Sequence, residues 1–519
     1  MTRLRTFSAL SQAWGLAPTF NYVGDVRIFL GVRGAGLPPA PSAAILGPAN
    51  NTHTGLSLSC ADVDGDGHAD LIIGSHYAFT STTQSGRLDV FLASAAQPAF
   101  LPGAAATLDA ADYSWRGEGL GEWFGYSSAA AGAGSAGATD DEVTELLLRG
   151  AANAGVDEAA RGACVGEAAN AVVRQSAAPG SASLLVVGQP GFKAVAPGGG
   201  PAAVGRVSGF AIPQGGSSGA VLAACLSRRG GGEHRAPLSP AALFTITADA
   251  SLLNGPLISS KLGHGVALGS PRGAGNGTML ALGMTAVDFC NSSSLVPGNA
   301  PQYNTSAGSV TVLTVGPALR GDFLFSDVAG RLAGELRATV LGSALPESRF
   351  GWRVKFADLD DDGADDLLVS APMRTPLFIG GAAPRNDSGH EAGAVFVYRG
   401  GAAFPFAGAP VGAAGAVVCS AAASAWLELQ GQGEFGRFGE ATLLARFDGA
   451  APRLLVSAPR VTEIVPPQAR AVGDDPSAAV EMPGAVYVSA QHRRTCAQCR
   501  GADPLAFLSS PGLCTPVND

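Results

Sequence analysis

Two short acidic stretches contain the residues of this sequence whose types and spacing are best suited to chemistry. They are DVDGDGHADL, residues 62–71, and DLDDDGADDL, residues 358–367. Each places carboxylates at positions 1, 3, 5 and 9 and glycine at position 6. A short loop of this kind supplies the oxygen ligands that a hard cation such as Ca²⁺ prefers, and the glycine permits a sharp turn. The spacing therefore predicts two calcium-binding loops.

The residues that follow the loops distinguish them from EF-hands. An EF-hand has a bidentate Glu at position 12 and continues into a helix. Position 12 is Ile73 in the first loop and Val369 in the second. Both loops also lead into apolar runs, LIIGS at 71–75 and LLVSA at 367–371, which indicate strands. We therefore expect each loop to continue into a strand.

The elements that must position the loops recur along the chain. A glycine preceded by Phe, Leu or Thr opens each of five units. In four of the units, the apolar run that follows the loop ends 18 to 20 residues after this opening glycine. The opening glycines are Gly55, Gly125, Gly263, Gly351 and Gly439. Each unit closes with a glycine and alternating apolar residues, which indicate a strand with one buried face. The closing segments are residues 86–92, 205–211, 308–314, 393–399 and 484–490.

Each unit contains four predicted strands. A short outer strand precedes several openers, as in AALFTITA at 241–248 and AWLELQG at 425–431. It is followed by the opener strand, the strand after the loop and the closing strand. A sixth closer at 24–30 has no opener before it and implies a further unit. Four-stranded units repeated radially form a β-propeller. The sequence thus predicts an all-β propeller of six or seven four-stranded blades over residues 22–490.

Three segments depart from the repeat. An N-terminal segment, 1–21, precedes the predicted propeller, and a cysteine-containing tail, 491–519, follows it. The second unit carries an insertion at about 131–180, in which residues 140–150 and 156–173 have helical character. We expect a partly helical insertion in one blade. The alternative is that a seventh blade lies within this gap.

The composition favours an extracellular protein and argues against a nucleic-acid surface. The formal net charge is −9, no basic stripe is present, and no stretch is long and apolar enough to cross a bilayer. Eight cysteines form an even set that is consistent with disulfides. The first residues make a poor signal peptide, so we expect the sequence to begin inside a longer precursor. Five N-x-S/T sequons suggest a glycoprotein, at Asn50, Asn276, Asn291, Asn304 and Asn386.

Two motifs match enzyme patterns only formally. GGSSG at 215–219 fits the nucleophile elbow, but the sequence places it in a Gly/Ser linker with no strand leading into it. GAGSAG at 132–137 fits the dinucleotide fingerprint, but no βαβ unit surrounds it. We expect both to be turns or linkers without chemistry.

Three further features are weak evidence for a site. Cys496 and Cys499 form C-x-x-C without a second pair, which favours disulfides over zinc. Arg320-Gly321-Asp322 spells a tripeptide that adhesion receptors bind, but so short a match arises readily by chance. The seven histidines are scattered along the chain, and we expect them at surface or loop positions with no zinc cluster.

The units resemble the FG-GAP repeats of integrin α-subunit propellers and of glycosylphosphatidylinositol-specific phospholipase D. The resemblance covers about residues 22–490 and includes the acidic loops and the Phe-Gly openers of units two, four and five, whereas Thr54 replaces Phe in unit one. It implies a calcium-stabilised propeller exposed outside the cell. Four segments also match the end of the repeat motif, GSH at 74–76, GQP at 188–190, SAP at 370–372 and SAP at 457–459.

The resemblance also implies which residues hold the two Ca²⁺ ions. In each loop the ligands would be four aspartates and one backbone carbonyl at position 7. The first set is Asp62, Asp64, Asp66 and Asp70 with the carbonyl of His68, and the second is Asp358, Asp360, Asp362 and Asp366 with the carbonyl of Ala364. Units two, three and five place Gly132, Ser270 and Arg446 where the first aspartate belongs, so we expect no metal there.

Two functions are consistent with this resemblance. The first is a non-enzymatic, extracellular calcium-binding propeller that acts as an adhesion platform and binds a protein or glycan ligand at its blade loops. The alternative is the propeller portion of a hydrolase similar to glycosylphosphatidylinositol-specific phospholipase D. In that family the chemistry belongs to a separate zinc-bearing domain, which residues 1–21 could not supply.

Overall fold

The structure is a computed structural model and is mostly β. In the part of the chain that the structure describes, three helices accompany the strands, α1 (Asp140–Asn153), α2 (Glu158–Val172) and α3 (Ser218–Gly230), together with one 3₁₀ turn, Leu108–Ala110. The described residues are 4–7, 23–30, 38–48, 52–80, 83–94, 105–172, 182–195, 201–230, 237–248, 260–273, 277–286, 306–325, 339–342, 348–374, 391–402, 404, 416–418, 425–431, 436–445, 453–460 and 485–488.

Six sheets of three to five strands follow one another along the described part of the chain. Sheet I contains β1 (Leu4–Phe7), β2 (Asp25–Leu30), β3 (Ala43–Leu46) and β9 (Ala105–Thr107). Sheet II contains β4 (Ser57–Ala61), β5 (Asp70–Ser75), β8 (Arg87–Phe91) and β10 (Tyr113–Arg116). Sheet III contains β11 (Ser127–Ala131), β12 (Ser183–Gln189), β15 (Arg206–Ile212), β16 (Phe244–Thr247) and β20 (Gly321–Leu324).

The remaining sheets repeat this arrangement. Sheet IV contains β17 (Leu262–Gly269), β18 (Met279–Met284), β19 (Ser309–Thr314), β21 (Thr339–Gly342) and β25 (Ala416–Val418). Sheet V contains β22 (Val354–Ala357), β23 (Asp366–Ala371), β24 (Ala394–Tyr398) and β26 (Leu427–Gln430). Sheet VI contains β27 (Thr442–Ala445), β28 (Arg453–Ala458) and β29 (Ala485–Val488). Two small hairpins join β6 (Phe79–Thr80) to β7 (Thr83–Gln84) and β13 (Lys193–Val195) to β14 (Pro201–Ala203).

The outer strand of each unit lies in a different sheet from the one expected. The sequence groups 241–248 with the opener that follows it, but β16 pairs with β15, the closer of the preceding unit. In the same way β26 pairs with β24 in sheet V. The order along the chain within a sheet is therefore opener, second strand, closer and outer strand. The grouping was wrong because strand spacing alone does not say which neighbour a connecting strand pairs with.

The hydrophobic core is divided among the gaps between consecutive sheets. Within β5, Leu71 and Ile73 pack between sheets I and II, while Ile72 packs between sheets II and III. In β23, Leu367 and Val369 contact sheet IV, and Leu368 contacts sheet VI. Strand residues alternate between two faces, so a strand buried on both faces must be apolar throughout. This burial explains the uninterrupted LIIGS and LLVSA runs.

The same backbone contact links each of four pairs of neighbouring sheets. The glycine before a closing strand forms a parallel bridge with the opener of the next unit, at Gly86–Phe124, Gly205–Leu262, Gly308–Phe350 and Gly393–Phe438. A related contact joins units at the N-terminal end, where the Thr54 amide donates to the Val23 carbonyl over 3.1 Å. The openers are therefore points of attachment between units.

The insertion in the second unit is helical, as the sequence predicts. Helices α1 and α2 lie between β11 and β12, which pair with each other, and no described residue between them forms a strand. Thr139 and Glu142 form a reciprocal capping box at the start of α1. A disulfide joins Cys164 in α2 to Cys225 in α3. The sequence analysis did not foresee α3, because its Gly/Ser-rich start is typical of a linker.

Several expectations concern residues outside the described ranges. They include the five sequon asparagines, Cys496 and Cys499, the tail 491–519 and all but four residues of the segment 1–21. Among the helices of the described residues, none has the length and apolar character needed to cross a bilayer.

Candidate metal centres

The first acidic loop connects β4 to β5 and brings three of its aspartates together. Carboxylate oxygens of Asp62, Asp64 and Asp70 all lie within 4.8 Å of one another. The loop is shaped by hydrogen bonds from its own backbone, because the Asp62 carboxylate accepts from Gly65 N at 2.7 Å and from Gly67 N at 3.0 Å. Gly67 has φ +87°, a left-handed conformation that favours glycine. The glycine at position 6 therefore permits the sharp turn that the sequence predicts.

The second loop connects β22 to β23 and repeats this geometry with a different triad. Carboxylate oxygens of Asp358, Asp360 and Asp362 lie within 4.8 Å of one another. Asp358 accepts from Asp362 N at 3.2 Å and from Gly363 N at 3.1 Å. The structure thus assembles three of the four predicted aspartates in each loop. It does so at positions 1, 3 and 9 in the first loop and 1, 3 and 5 in the second.

The aspartate at position 9 anchors each loop to the protein. Asp70 accepts from Val63 N at 2.7 Å and from Ala93 N at 2.8 Å, so it ties the loop to the second residue after β8. Asp366 accepts in the same way from Leu359 N and Gly400 N. Burial raises the pKa of Asp70 to about 7 and that of Asp366 to about 6. A nearby cation would favour the charged form of both carboxyl groups.

The predicted ligands at positions 5 and 7 have local roles in the first loop. Asp66 is exposed and lies outside the triad, and its Oδ1 accepts from His68 N at 2.8 Å. In the second loop Asp362 accepts from Ala364 N at 2.9 Å, although Asp362 also belongs to the triad. The carbonyls of His68 and Ala364 remain predicted ligands.

The donor set of both loops fits a hard divalent cation. All the side-chain donors are carboxylate oxygens, which such ions prefer. Burial and the neighbouring charge of Asp66 raise the pKa of Asp64, which indicates that this carboxylate lacks a compensating charge. In the second loop, Asp360 Oδ1 is buried and accepts no hydrogen bond from any residue that the structure describes. A buried unpaired carboxylate oxygen is costly, and a bound ion would satisfy it.

One difference separates the two loops. Arg399 Nη2 lies 2.5 Å from Asp360 Oδ2 and 3.8 Å from Asp362 Oδ2, although the nearer contact lacks good hydrogen-bond geometry. Arg399 is the last residue of the closer GAVFVYR, and the equivalent residue in the first unit is Leu92. The second site therefore has a side-chain cation beside it that the first site lacks. A comparison of the two closers could have revealed this difference.

The first loop is also held by the next unit. Gln214 Nε2 donates to Val63 O at 2.9 Å and to Ser183 Oγ at 2.7 Å, and the Gly215 amide donates to the Asp64 carbonyl. These contacts join residues that are far apart in the sequence, so no local pattern could have predicted them. They connect the first loop to the turn that precedes α3.

That turn contains the formal nucleophile-elbow motif. Contrary to expectation, a strand does lead toward it, because β15 ends at Ile212 and α3 begins at Ser218. Ser217 is nevertheless a helix cap. Its hydroxyl donates to Gln214 O at 2.6 Å and its Oγ accepts from Ala220 N at 3.1 Å. The motif is thus a strand-to-helix turn rather than the expected linker.

Two other motifs have structural roles. Gly321 and Asp322 belong to β20, and Arg320 binds the insertion through Glu142 Oε1 at 3.1 Å and Gly137 O at 2.7 Å. The tripeptide therefore lies at the start of a strand rather than in a loop. The stretch 132–137 joins β11 to α1, and the sheet around it is antiparallel, unlike a dinucleotide-binding βαβ unit.

Two of the three non-acidic loops begin within the described residues. Gly132 follows β11, and Ser270 follows β17. The Ser270 amide donates to Asp365 Oδ2 at 2.7 Å, so this loop packs against the second acidic loop. Arg446 lies outside the described residues.

Comparisons with known proteins agree with this geometry. Residues 54–91, which span the first opener, the first acidic loop and the closing strand of sheet II, match the FG-GAP repeat. This stretch is an FG-GAP repeat. Outside this stretch, the openers at Phe124, Leu262, Phe350 and Phe438 each form the same bridge to the preceding unit.

The chain is also a distant homologue of a group of enzymes. It is 26% identical over 391 residues to phosphatidylinositol-glycan-specific phospholipase D of Homo sapiens and 24% identical over 381 residues to that of Mus musculus. Each match covers 73% of this chain and 34% of the relative. A shorter match to the same enzyme of Dictyostelium discoideum is 34% identical over 123 residues, covering 22% of this chain and 12% of the relative. The chain therefore spans about a third of the length of the human and mouse relatives.

Proposed function

We propose that this chain is the calcium-bound β-propeller part of a protein similar to phosphatidylinositol-glycan-specific phospholipase D, and that it recognises a ligand outside the cell and does not itself cleave it. The observation that carries this proposal is the match to those enzymes across 73% of the chain. It favours this alternative over an integrin-like adhesion platform. The disulfide between Cys164 and Cys225 supports an extracellular location.

The packing of the sheets supports the propeller. Consecutive sheets share a face-to-face core, and four of the five openers form the same bridge to the preceding unit, which is the relation that radial repetition requires. We propose that the six sheets are blades of a closed ring. The two metals are Ca²⁺ ions, and their role is structural, because each acidic loop joins two strands of one blade. When bound, Ca²⁺ neutralises the clustered carboxylates and holds the loop in one conformation.

A glycosylphosphatidylinositol-anchored protein in detergent micelles provides the test of function. The immobilised chain should retain the anchored protein in the presence of calcium and release it on addition of EGTA. It should leave the anchor intact, so the protein should still partition into the detergent phase. The matched control is the same protein without its anchor, which should not be retained.

Two outcomes would contradict the proposed function. Conversion of the anchored protein to a water-soluble form would mean that the chain itself cleaves the anchor. Equal retention of the anchored and anchor-free proteins would instead favour a general protein-adhesion platform.

Arg399 should weaken calcium binding at the second site. An incoming cation must separate the guanidinium from Asp360, and the two positive charges repel. The substitution Arg399→Gln, made in a background where Asp64→Asn disables the first loop, should tighten calcium binding about fivefold, as expected for a half-exposed ion pair. Titration calorimetry measures this change.

The matched control is Arg228→Gln, which removes an ion pair of similar exposure between α3 and helix α2 of the insertion. The Arg228 and Arg399 side chains are 59% and 53% exposed. Calcium affinity should not change in this control. Unchanged affinity in the Arg399 variant would show that the guanidinium does not compete with the ion.

A further inference from the structure

Aromatic and basic side chains from three consecutive openers meet in one cluster. We call the group the opener cluster and define it as Trp123, Tyr126, Lys261, Arg349, Trp352 and Arg353. Trp123 and Tyr126 flank Phe124-Gly125, Lys261 precedes Leu262-Gly263, and the last three flank Phe350-Gly351. The bridges between sheets bring the openers together, so residues more than two hundred positions apart become neighbours.

The aromatic rings of the cluster are linked by ring contacts, partly through buried histidines. Trp123 and Tyr126 stack at 6.0 Å with an interplanar angle of 25°. His264 joins them to Trp352, because its ring centroid lies 4.6 Å from that of Tyr126 and 4.2 Å from that of Trp352. His76 also contacts Tyr126, at 5.5 Å. The prediction that the histidines lie at surface or loop positions was wrong for His264, which is buried within β17. His76 does lie in a turn, the one after β5, although its side chain is buried.

The cations of the cluster lack carboxylate partners. Lys261 Nζ lies 5.9 Å from the centre of the Trp123 ring, and the Arg353 guanidinium lies 5.9 Å from that of Tyr126. Among the residues that the structure describes, no carboxylate forms an ion pair with Lys261, Arg349 or Arg353. Burial, and then the charge of Arg349, lower the pKa of Lys261. Glu440 is an acidic residue near Tyr126; its Oε2 is buried without a hydrogen-bond partner among the described residues, and Arg353 Nε donates to its backbone oxygen at 3.3 Å. The three cations of the cluster outnumber this carboxylate, so the cluster carries a net positive charge.

Two hydrogen-bond donors in the cluster are buried without an acceptor. They are Arg349 Nε and Trp352 Nε1, neither of which has a partner among the described residues. A buried donor without an acceptor costs about 1–3 kcal/mol, so such groups are usually satisfied by water or by a ligand. Both donors lie on one opener, on either side of Phe350-Gly351. They indicate that an acceptor group binds there.

The backbone that presents these side chains is strained in the same way in each unit. The residue before each opener has a left-handed backbone conformation, with φ of 59° at Trp123, 53° at Lys261 and 54° at Arg349. This conformation costs a non-glycine residue about 1–2 kcal/mol. The same conformation precedes the other two openers, with φ of 51° at His53 and 52° at Arg437, so it belongs to the repeat as a whole. In the cluster, this backbone conformation sets the directions in which the side chains of Trp123, Lys261 and Arg349 leave the chain.

We propose that the opener cluster binds an anionic carbohydrate, that is, a sugar ring that carries a phosphate or carboxylate group. The aromatic faces provide a platform for the apolar face of a sugar ring, and the buried donors provide hydrogen bonds to its oxygens. The lysine and arginines neutralise the anionic substituent, and guanidinium groups suit phosphate and carboxylate oxygens. The inference depends on the cluster alone and does not require the relationship to the phospholipase.

Titration of the intact, calcium-loaded chain with four small probes tests this inference. The probes are glucose 6-phosphate, glucuronic acid, glucose and inorganic phosphate, and binding is followed by calorimetry and by tryptophan fluorescence. At least one of the two charged sugars should bind saturably. Glucose and inorganic phosphate should bind at least about tenfold more weakly, because each lacks one of the two recognised features. The two charged probes distinguish a phosphate from a carboxylate ligand.

Three variants locate the binding site. Lys261→Met and Arg349→Met should each weaken binding of the charged sugar about tenfold, as expected for the loss of one charge-assisted contact. Trp352→Phe keeps an aromatic ring at this position but replaces the indole and removes its Nε1 donor. It should weaken binding with little effect on folding. The matched control is Lys193→Met, at an exposed lysine in β13 outside the cluster, and it should bind like the unmodified chain.

Three results would overturn the inference. The first is that neither charged sugar binds the folded chain. The second is that the cluster variants and Lys193→Met bind equally well. The third is that glucose or inorganic phosphate alone binds as tightly as the charged sugars. A failure of the anchored-protein experiment would leave these measurements unaffected, so the two proposals can fail separately.

Discussion

Removal of calcium with EGTA should lower the free energy of unfolding by about 5 kcal/mol when free calcium had exceeded the dissociation constant of both sites by a hundredfold, because each site then contributes about 2.7 kcal/mol. Without an ion, the three clustered carboxylates of each loop repel one another. Asp70 and Asp366 then lose the nearby positive charge of the calcium ion, which favours their ionised, hydrogen-bonded form. We expect the melting temperature to fall by about 5 °C or more, as measured by calorimetry or circular dichroism, and excess calcium should restore it.

Single-site variants separate the contributions of the two loops. Asp64→Asn and Asp360→Asn should each remove about half of the calcium-dependent stability. Asp141→Asn changes an exposed aspartate at the start of α1, and it should leave the calcium dependence intact. A melting temperature that is the same with calcium and with EGTA would contradict a metal in either loop.

Gly188→Ala should destabilise the protein by about 3 kcal/mol or more, because it overpacks a close contact between two backbones. Gly188 is in β12 and packs against the opener of the next unit. An added Cβ would overlap the Gly263 carbonyl oxygen and the Ser127 hydroxyl. These two groups are already hydrogen-bonded to each other at 2.8 Å, so neither can easily move away. Urea denaturation measures the loss.

The matched control is Gly162→Ala in α2. Gly162 is exposed, and an added Cβ would meet no atom within 4 Å. Alanine has the higher helix propensity, so this change should stabilise the protein by about 0.5–1 kcal/mol. A loss of less than about 1 kcal/mol in the Gly188 variant would mean that the units can separate slightly at this contact, and the tight attachment of sheets at the openers would be in doubt.

The features that the sequence predicted correctly are those encoded over short distances. The acidic loops, the strands after them and the two helices of the insertion each follow from residue types within about fifteen positions. Leu71, Ile72 and Ile73 were predicted as a strand because they are uninterrupted and apolar. The structure adds the reason, which is that this strand contacts a different sheet on each face.

The features that the sequence did not predict depend on contacts between distant residues. The assignment of β16 to sheet III needed knowledge of its partner β15. Arg399 becomes important only when β24 lies beside the second loop, and His76 and His264 become neighbours of Tyr126 only when the openers meet. Helix α3 was missed because a Gly/Ser-rich helix start is compositionally similar to a linker.

The calcium content of the purified chain tests the two-site hypothesis most directly. After equilibrium dialysis against micromolar calcium, elemental analysis should find two calcium ions per chain. Asp64→Asn and Asp360→Asn should each reduce the content to one, and the double variant should retain none. The hypothesis would be contradicted if the unmodified chain held no calcium, or if the double variant still held two ions.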